Sequence, residues 1–202
     1  MQNVPVMDAK TEIAQTAARL VVEEGLEYGG AKRRAVRQLG LAARTPLPDN
    51  DTIEAAVREY IEIFCGDTQP VELKALRKLA LTWMERLAEF RPYLAGAVWH
   101  GTATRLSDIY IQLFCDDPKS AEIALIDKQV AFDARTVTGF NGEEVEALSF
   151  SSMSRELGGM IGVHLLIHDY DHLRGALSRD SAGRVPRGDA AAVRALLENA
   201  AP

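Results

Sequence analysis

The middle of the chain carries the residues best suited to chemistry. Gly101-Thr102 is followed by Arg105 and then by Ser107-Asp108, at the head of a stretch that runs to Phe114. A glycine lets the backbone come close to phosphate oxygens, and a neighbouring hydroxyl and amide can donate to them. Arg105, inside the same turn, can meet a phosphate through its guanidinium, or stand there simply as a solvated turn residue. The same run also reads as a polar β-turn in which Asp108, Ser107 and Thr102 satisfy the backbone. Further along, His168-Asp169-Tyr170-Asp171-His172 brings imidazoles and carboxylates together. Helical spacing would aim both imidazoles at one metal ion. The run straddles a strand end and a helix start, which spoils that spacing and makes Asp169 or Asp171 an N-cap instead. His100 and His164 fall in apolar strands, where satisfied core histidines are expected. Lys32, Arg33, Arg34 and Arg37, with Arg44 beyond, form a basic patch.

The elements that must position these residues follow from hydrophobic periodicity. Ile13, Ala17, Leu20 and Val21 fall at helical spacing, and Gly25 ends that helix. A second helix runs from Gly30 to Leu39, with Gly40 closing it and the basic patch on its exposed face. A Pro-rich loop from Arg44 leads to a third helix, from Asp51 or Thr52 to Phe64. A fourth, long helix spans Val71 to about Phe90, with Leu76, Ala80, Trp83 and Leu87 on one side. From Pro92 the texture changes. Ala95 to His100 is short and apolar, as a buried strand would be, and Ser107 to Phe114 alternates. Pro118 opens a helix to Asp127. Val130 to Val137, Val145 to Phe150 and Gly162 to His168 read as further strands. A helix over Asp169 to Leu177, a linker over Ser178 to Asp189 and a terminal helix to Leu197 complete the series.

The strand–turn–strand from Gly96 to Phe114 resembles the opening motif of the polymerase-β-type nucleotidyltransferase superfamily. That motif is a strand, Gly-Ser or Gly-Gly, a turn, and Ser-Asp-x-Asp at the start of the next strand. Gly101-Thr102 stands in place of Gly-Ser, and Ser107-Asp108-Ile109-Tyr110 in place of Ser-Asp-x-Asp. The resemblance implies a small mixed sheet flanked by helices, and nucleotidyl transfer from a nucleoside triphosphate. It implies that Gly101, Thr102, Arg105 and Ser107 hold phosphates. It implies that the catalytic carboxylates Asp108 and Asp133 hold Mg²⁺, with Asp133 mid-strand on a neighbouring strand. Carboxylates on one strand face can share magnesium ions, which clamp a triphosphate and activate the attacking hydroxyl. Two departures bear on activity. Tyr110 occupies the second carboxylate position, and a phenol with a pKa of about 10 is a poor magnesium ligand at neutral pH. The turn between Gly101 and Asp108 is also shorter than the family's. The expectation is therefore a nucleotidyltransferase-like protein that binds a nucleotide or phosphate ligand, with catalysis weak or lost.

Ile13 to Gly25, followed by Ala31 to Leu41, is similar in a limited way to the first two helices of tetracycline-repressor-type regulators. A recognition helix should come next for DNA reading, and Pro46 and Pro48 interrupt instead. A non-catalytic module that meets nucleic acid or an acidic partner through the basic helix is the alternative reading. A net charge of −6 argues against a protein that coats nucleic acid. Cys65 and Cys115 form no CxxC pair and are expected as free thiols in a reducing compartment. Met1 to Lys10 reads as a frayed start with no signal peptide, and no stretch approaches a membrane span; cytoplasmic location is the expectation. A UDP-N-acetylmuramate–alanine ligase is not supported, because no Gly-x-x-Gly-Lys-Thr run is present to cradle ATP. The expected architecture is α+β: a helical region over residues 1–91 packed on a nucleotidyltransferase-like sheet domain over residues 92–202.

Overall fold

The computed structural model describes residues 8–179 and 183–199. The expected frayed start and the linker after Ser178 lie partly outside the described residues. The chain divides into two compact units between Pro70 and Val71. The fold is α+β, with helices and one mixed sheet.

The first unit is built from α1 (Ala9–Glu24), α2 (Tyr28–Gln38) and α3 (Asn50–Phe64). Ile13, Ala17 and Leu20 of α1 share one core with Ala31, Ala35 and Val36 of α2 and with Ile53 and Val57 of α3. Gly25 closes α1 in the left-handed region at φ 68°, which glycine adopts without a Cβ clash. Asp49 caps α3, accepting from both the amide and the hydroxyl of Thr52 at 2.7 Å. The basic patch is smaller than the sequence suggests. Lys32 lies beside the inward-facing Ala31 and Ala35, so it is buried, and it donates to Asn50 Oδ1 at 2.7 Å. Arg34 pairs with Glu24 at 2.6 Å, which leaves Arg33, Arg37 and Arg44 as its exposed members.

The second unit holds a six-stranded sheet in the order β3-β4-β5-β2-β1-β6. Its strands are β1 (Tyr93–Ala95), β2 (Ile109–Phe114), β3 (Asp133–Thr138), β4 (Glu144–Ser154), β5 (Gly159–His168) and β6 (Arg187–Gly188). β2 and β5 run parallel and the other pairings are antiparallel. Alternation sorts the two faces. Ile109, Ile111 and Leu113 of β2 join Val163, Leu165 and Ile167 of β5 and Leu148 and Phe150 of β4 in the main core. α4 (Gln69–Arg86), α6 (Pro118–Asp127) and α8 (Ala190–Asn199) complete that core through Leu76, Ala80, Trp83, Ala121, Leu125 and Val193. The sequence groups α4 with the helical region; its apolar side instead shares the core of the sheet.

Two local expectations change. Gly96 takes φ 68° and ends β1, so Gly96–His100 is not a strand but α5, a one-turn helix closed by Gly101 at φ 84°. Asp133 is the first residue of β3 rather than mid-strand, because the chain over Lys128–Phe132 still turns away from α6. The capping reading of the His168–His172 run holds: Asp169 accepts from the Asp171 amide at 2.9 Å and starts a single 3-10 turn, Tyr170–His172, ahead of α7 (Leu173–Ala176).

Candidate functional site

The sheet face opposite the main core carries the polar residues. Asp108, just ahead of β2, points to the same side as Tyr110 and Gln112. β5 lies directly alongside, in a register that pairs Tyr110 with His164, and β4 pairs Ser149 with His164 in turn. Three neighbouring strands thus bring Asp108, His164 and Ser149 into one hydrogen-bonded row. His164 Nε2 is 3.1 Å from Asp108 Oδ2, and His164 Nδ1 is 2.8 Å from Ser149 Oγ. The Tyr110 ring stacks on the imidazole at 4.8 Å between centroids. Gly162 leaves room for the carboxylate, since a Cβ there would stand 2.7 Å from the Asp108 carboxyl carbon. The hydrogen bond from His164, its charge and the Gly162 amide hold the Asp108 carboxyl below the usual carboxylate range, against partial burial.

The glycine turn is built differently from a phosphate cradle. The amides of Gly101 and Thr102 both donate to the Ala97 carbonyl at 2.9 Å and close α5. The Thr102 side chain is buried, and its hydroxyl has no hydrogen-bond partner among the described residues. Ser107 Oγ accepts from the Thr104 amide at 3.0 Å, and the Arg105 amide donates to Glu72 at 2.9 Å. The amides of residues 101 and 102 and the Ser107 side chain therefore serve the local backbone. Asp108 bonds His164 instead of capping the turn, and the Thr102 hydroxyl does not support it, so the β-turn reading holds only for Ser107. The Arg105 side chain remains exposed. Arg77 lies against this turn, with Nε donating to the Val98 carbonyl at 3.1 Å and Nη2 to Trp99 at 3.3 Å. A cation bonded to the last carbonyls of a helix is the usual complement to its negative end. No local signal in the sequence joins Arg77 to Gly101.

Asp108 and Asp133 are not brought together. β4 and β5 stand between their strands, which at a spacing of about 4.8 Å puts them roughly 14 Å apart. Asp133 instead lines an open groove of about 640 Å³ with Trp83, Arg86, Lys128 and Ser149. Magnesium oxygen ligands sit at about 2.0–2.1 Å in near-octahedral geometry, so one ion cannot use both carboxylates. The residue that β5 sets against Asp108 is an imidazole, and position 110 is a phenol. This donor set does not fit Mg²⁺, and among the described residues no group of three or more His, Cys, Asp and Glu is placed to hold a metal ion. His164 is not a core histidine, as expected from its strand, but the centre of this row. Its partner Asp108 is 56 positions away in the chain, beyond the reach of any local pattern.

No family model matches the chain, and no curated protein matches it. Solved structures with partial likeness include the Cid1 poly(U) polymerase with MgGTP bound, at 11% identity and a TM-score of 0.36. Cid1 in complex with the UTP analogue UMPNPP gives 12% and 0.34, and a cytoplasmic RNA terminal U-transferase gives 14% and 0.33. Each likeness covers 55% of this chain, which spans 37%, 36% and 35% of those chains respectively.

Proposed function

We propose that this chain is a nucleotidyltransferase-like binding protein that takes a nucleotide on the β2–β5 face and has lost metal-dependent transfer. The observation that carries this reading is the 3.1 Å bond between Asp108 and His164 with Tyr110 stacked on the ring. The glycine–turn–aspartate part of the motif's order is kept, with Asp108 at the head of a central strand, although a helical turn, α5, stands where the motif's first strand is expected. The groups that two-metal chemistry needs around that aspartate are replaced by an imidazole and a phenol. What remains suits binding without a metal. The part-exposed rings of Tyr110 and His164 offer a surface for a base. Asp108 and Ser149 offer hydrogen-bonding groups for a ribose or base edge, and the Arg105 guanidinium offers a cation for phosphate.

Thermal melting with each nucleoside triphosphate, with and without Mg²⁺, tests this. A ligand stabilises the folded state by an amount set by its concentration over Kd, about 2.7 kcal/mol at a hundredfold excess. The expected result is a rise in Tm of equal size with Mg²⁺ and with chelator, and no release of pyrophosphate. No shift at millimolar nucleotide would remove the reading.

A further inference from the structure

At the other end of the same face, where β2 and β5 finish, a cation is buried without an anion among the described residues. Arg187 of β6 is 6% exposed, and it donates through Nη1 to Gln112 of β2. Its Nε is buried with no hydrogen-bond partner, and among the described residues it makes no ion pair. Beside it lies His168, 1% exposed, with neither ring nitrogen partnered among the described residues. A buried guanidinium and imidazole with unmet hydrogen-bonding groups are costly unless something pairs with them. The surroundings are aromatic. His168 stacks on Phe114, and Phe140 covers both groups, 4.2 Å from the Arg187 guanidinium carbon and 4.7 Å from the His168 ring.

Phe140 sits in the turn between β3 and β4, with Gly139 ahead of it and Gly142 at φ 84° behind. Its ring is partly exposed, and β3 pairs with β4 alone. The turn is held down by the aromatic contacts and by a 3.5 Å pair between Glu143 and His172. It can lift without breaking the sheet's inner ladders.

We propose that Arg187, His168 and Gln112 form an oxyanion site, for a phosphate or carboxylate group, closed by Phe140 on the β3–β4 turn. Arg187 supplies the charge and the unpartnered Nε–H, His168 supplies a second donor, and Gln112 fixes the guanidinium. The site stands on residues other than Asp108 and His164, so it does not depend on the nucleotide reading.

The test is an NMR titration of the full chain with inorganic phosphate and, separately, with acetate, following the Arg187 Nε–Hε and His168 ring signals. Saturable shifts at both groups are expected, and the tighter of the two anions identifies the group recognised. Arg187→Gln should weaken binding at least tenfold, and Phe140→Ala, which removes the cover, should speed association. Arg187→Met keeps the side chain's bulk and provides a folded control if the glutamine variant unfolds; it too should lose binding. Absence of shifts at tens of millimolar of either anion, or shifts that persist unchanged in the Arg187 variants, would overturn the proposal. Nucleotide stabilisation that survives in Arg187→Met while phosphate shifts vanish would separate this site from the one around Asp108.

Discussion

Asp108 is stabilised as an anion by two donors from one strand, the His164 ring and the Gly162 amide. Removing the larger contribution should let the carboxyl rise toward its ordinary value of 3.8. In His164→Ala, carbon-detected NMR should therefore report a higher Asp108 titration point than in the parent. The sign for stability follows. A carboxyl that titrates lower in the folded state stabilises above the unfolded pKa, and that gain disappears as pH falls through the folded one. The acid limb of the stability curve should thus be shallower in His164→Ala. Gly162→Ala should displace the carboxylate, because its Cβ would fall 2.7 Å from the carboxyl carbon. The expected loss is about 1–3 kcal/mol, the usual range for overpacking, measured by urea unfolding. Asp108 was legible from its place after a glycine turn. His164 was not, since an isolated histidine in an apolar strand looks the same whether it faces the core or a carboxylate.

The strands themselves were largely readable. Alternation marks β2, with Ile109, Ile111 and Leu113 on one side and Tyr110, Gln112 and Phe114 on the other. Pro118 and Asp117 mark α6, where Asp117 accepts from the Lys119 amide at 3.0 Å. Neighbours were not readable, because strand order is set by long-range pairing. β5 arrives beside β2 only after β3 and β4, and that detour places Asp133 two strands too far away. The same parallel pairing sets His168 against Phe114 and gives β5 a titration of its own. Burial first, then the nearby charges of Arg187 and His172, bring the His168 imidazole down from 6.5 to about 4. Between those values the unfolded chain binds a proton that the folded chain refuses, so stability is full above about pH 6.5 and falls as pH drops toward 4. His168→Phe should flatten that dependence, as read from Tm across the same window.

Among the described residues there are two cores with no shared residue, one of three helices and one around the sheet. Ile53 is fully buried in the first. Ile53→Ala should cost about 2–5 kcal/mol. Hydrogen exchange should accelerate among α1, α2 and α3 while the amides of β2 and β5 keep their protection. The central claim belongs to the proposed function and concerns the second unit: Asp108, Tyr110 and His164 lie together on one sheet face, and the phenol and imidazole beside Asp108 leave it without the oxygen ligands that Mg²⁺ needs. Calorimetric titration with Mg²⁺ tests it most directly, on the parent and on the double change Tyr110→Asp with His164→Asp, which sets three carboxylates on one face. The account predicts no Mg²⁺ binding by the parent and saturable binding by the folded double variant. Binding by the parent, or none by either chain, would contradict it.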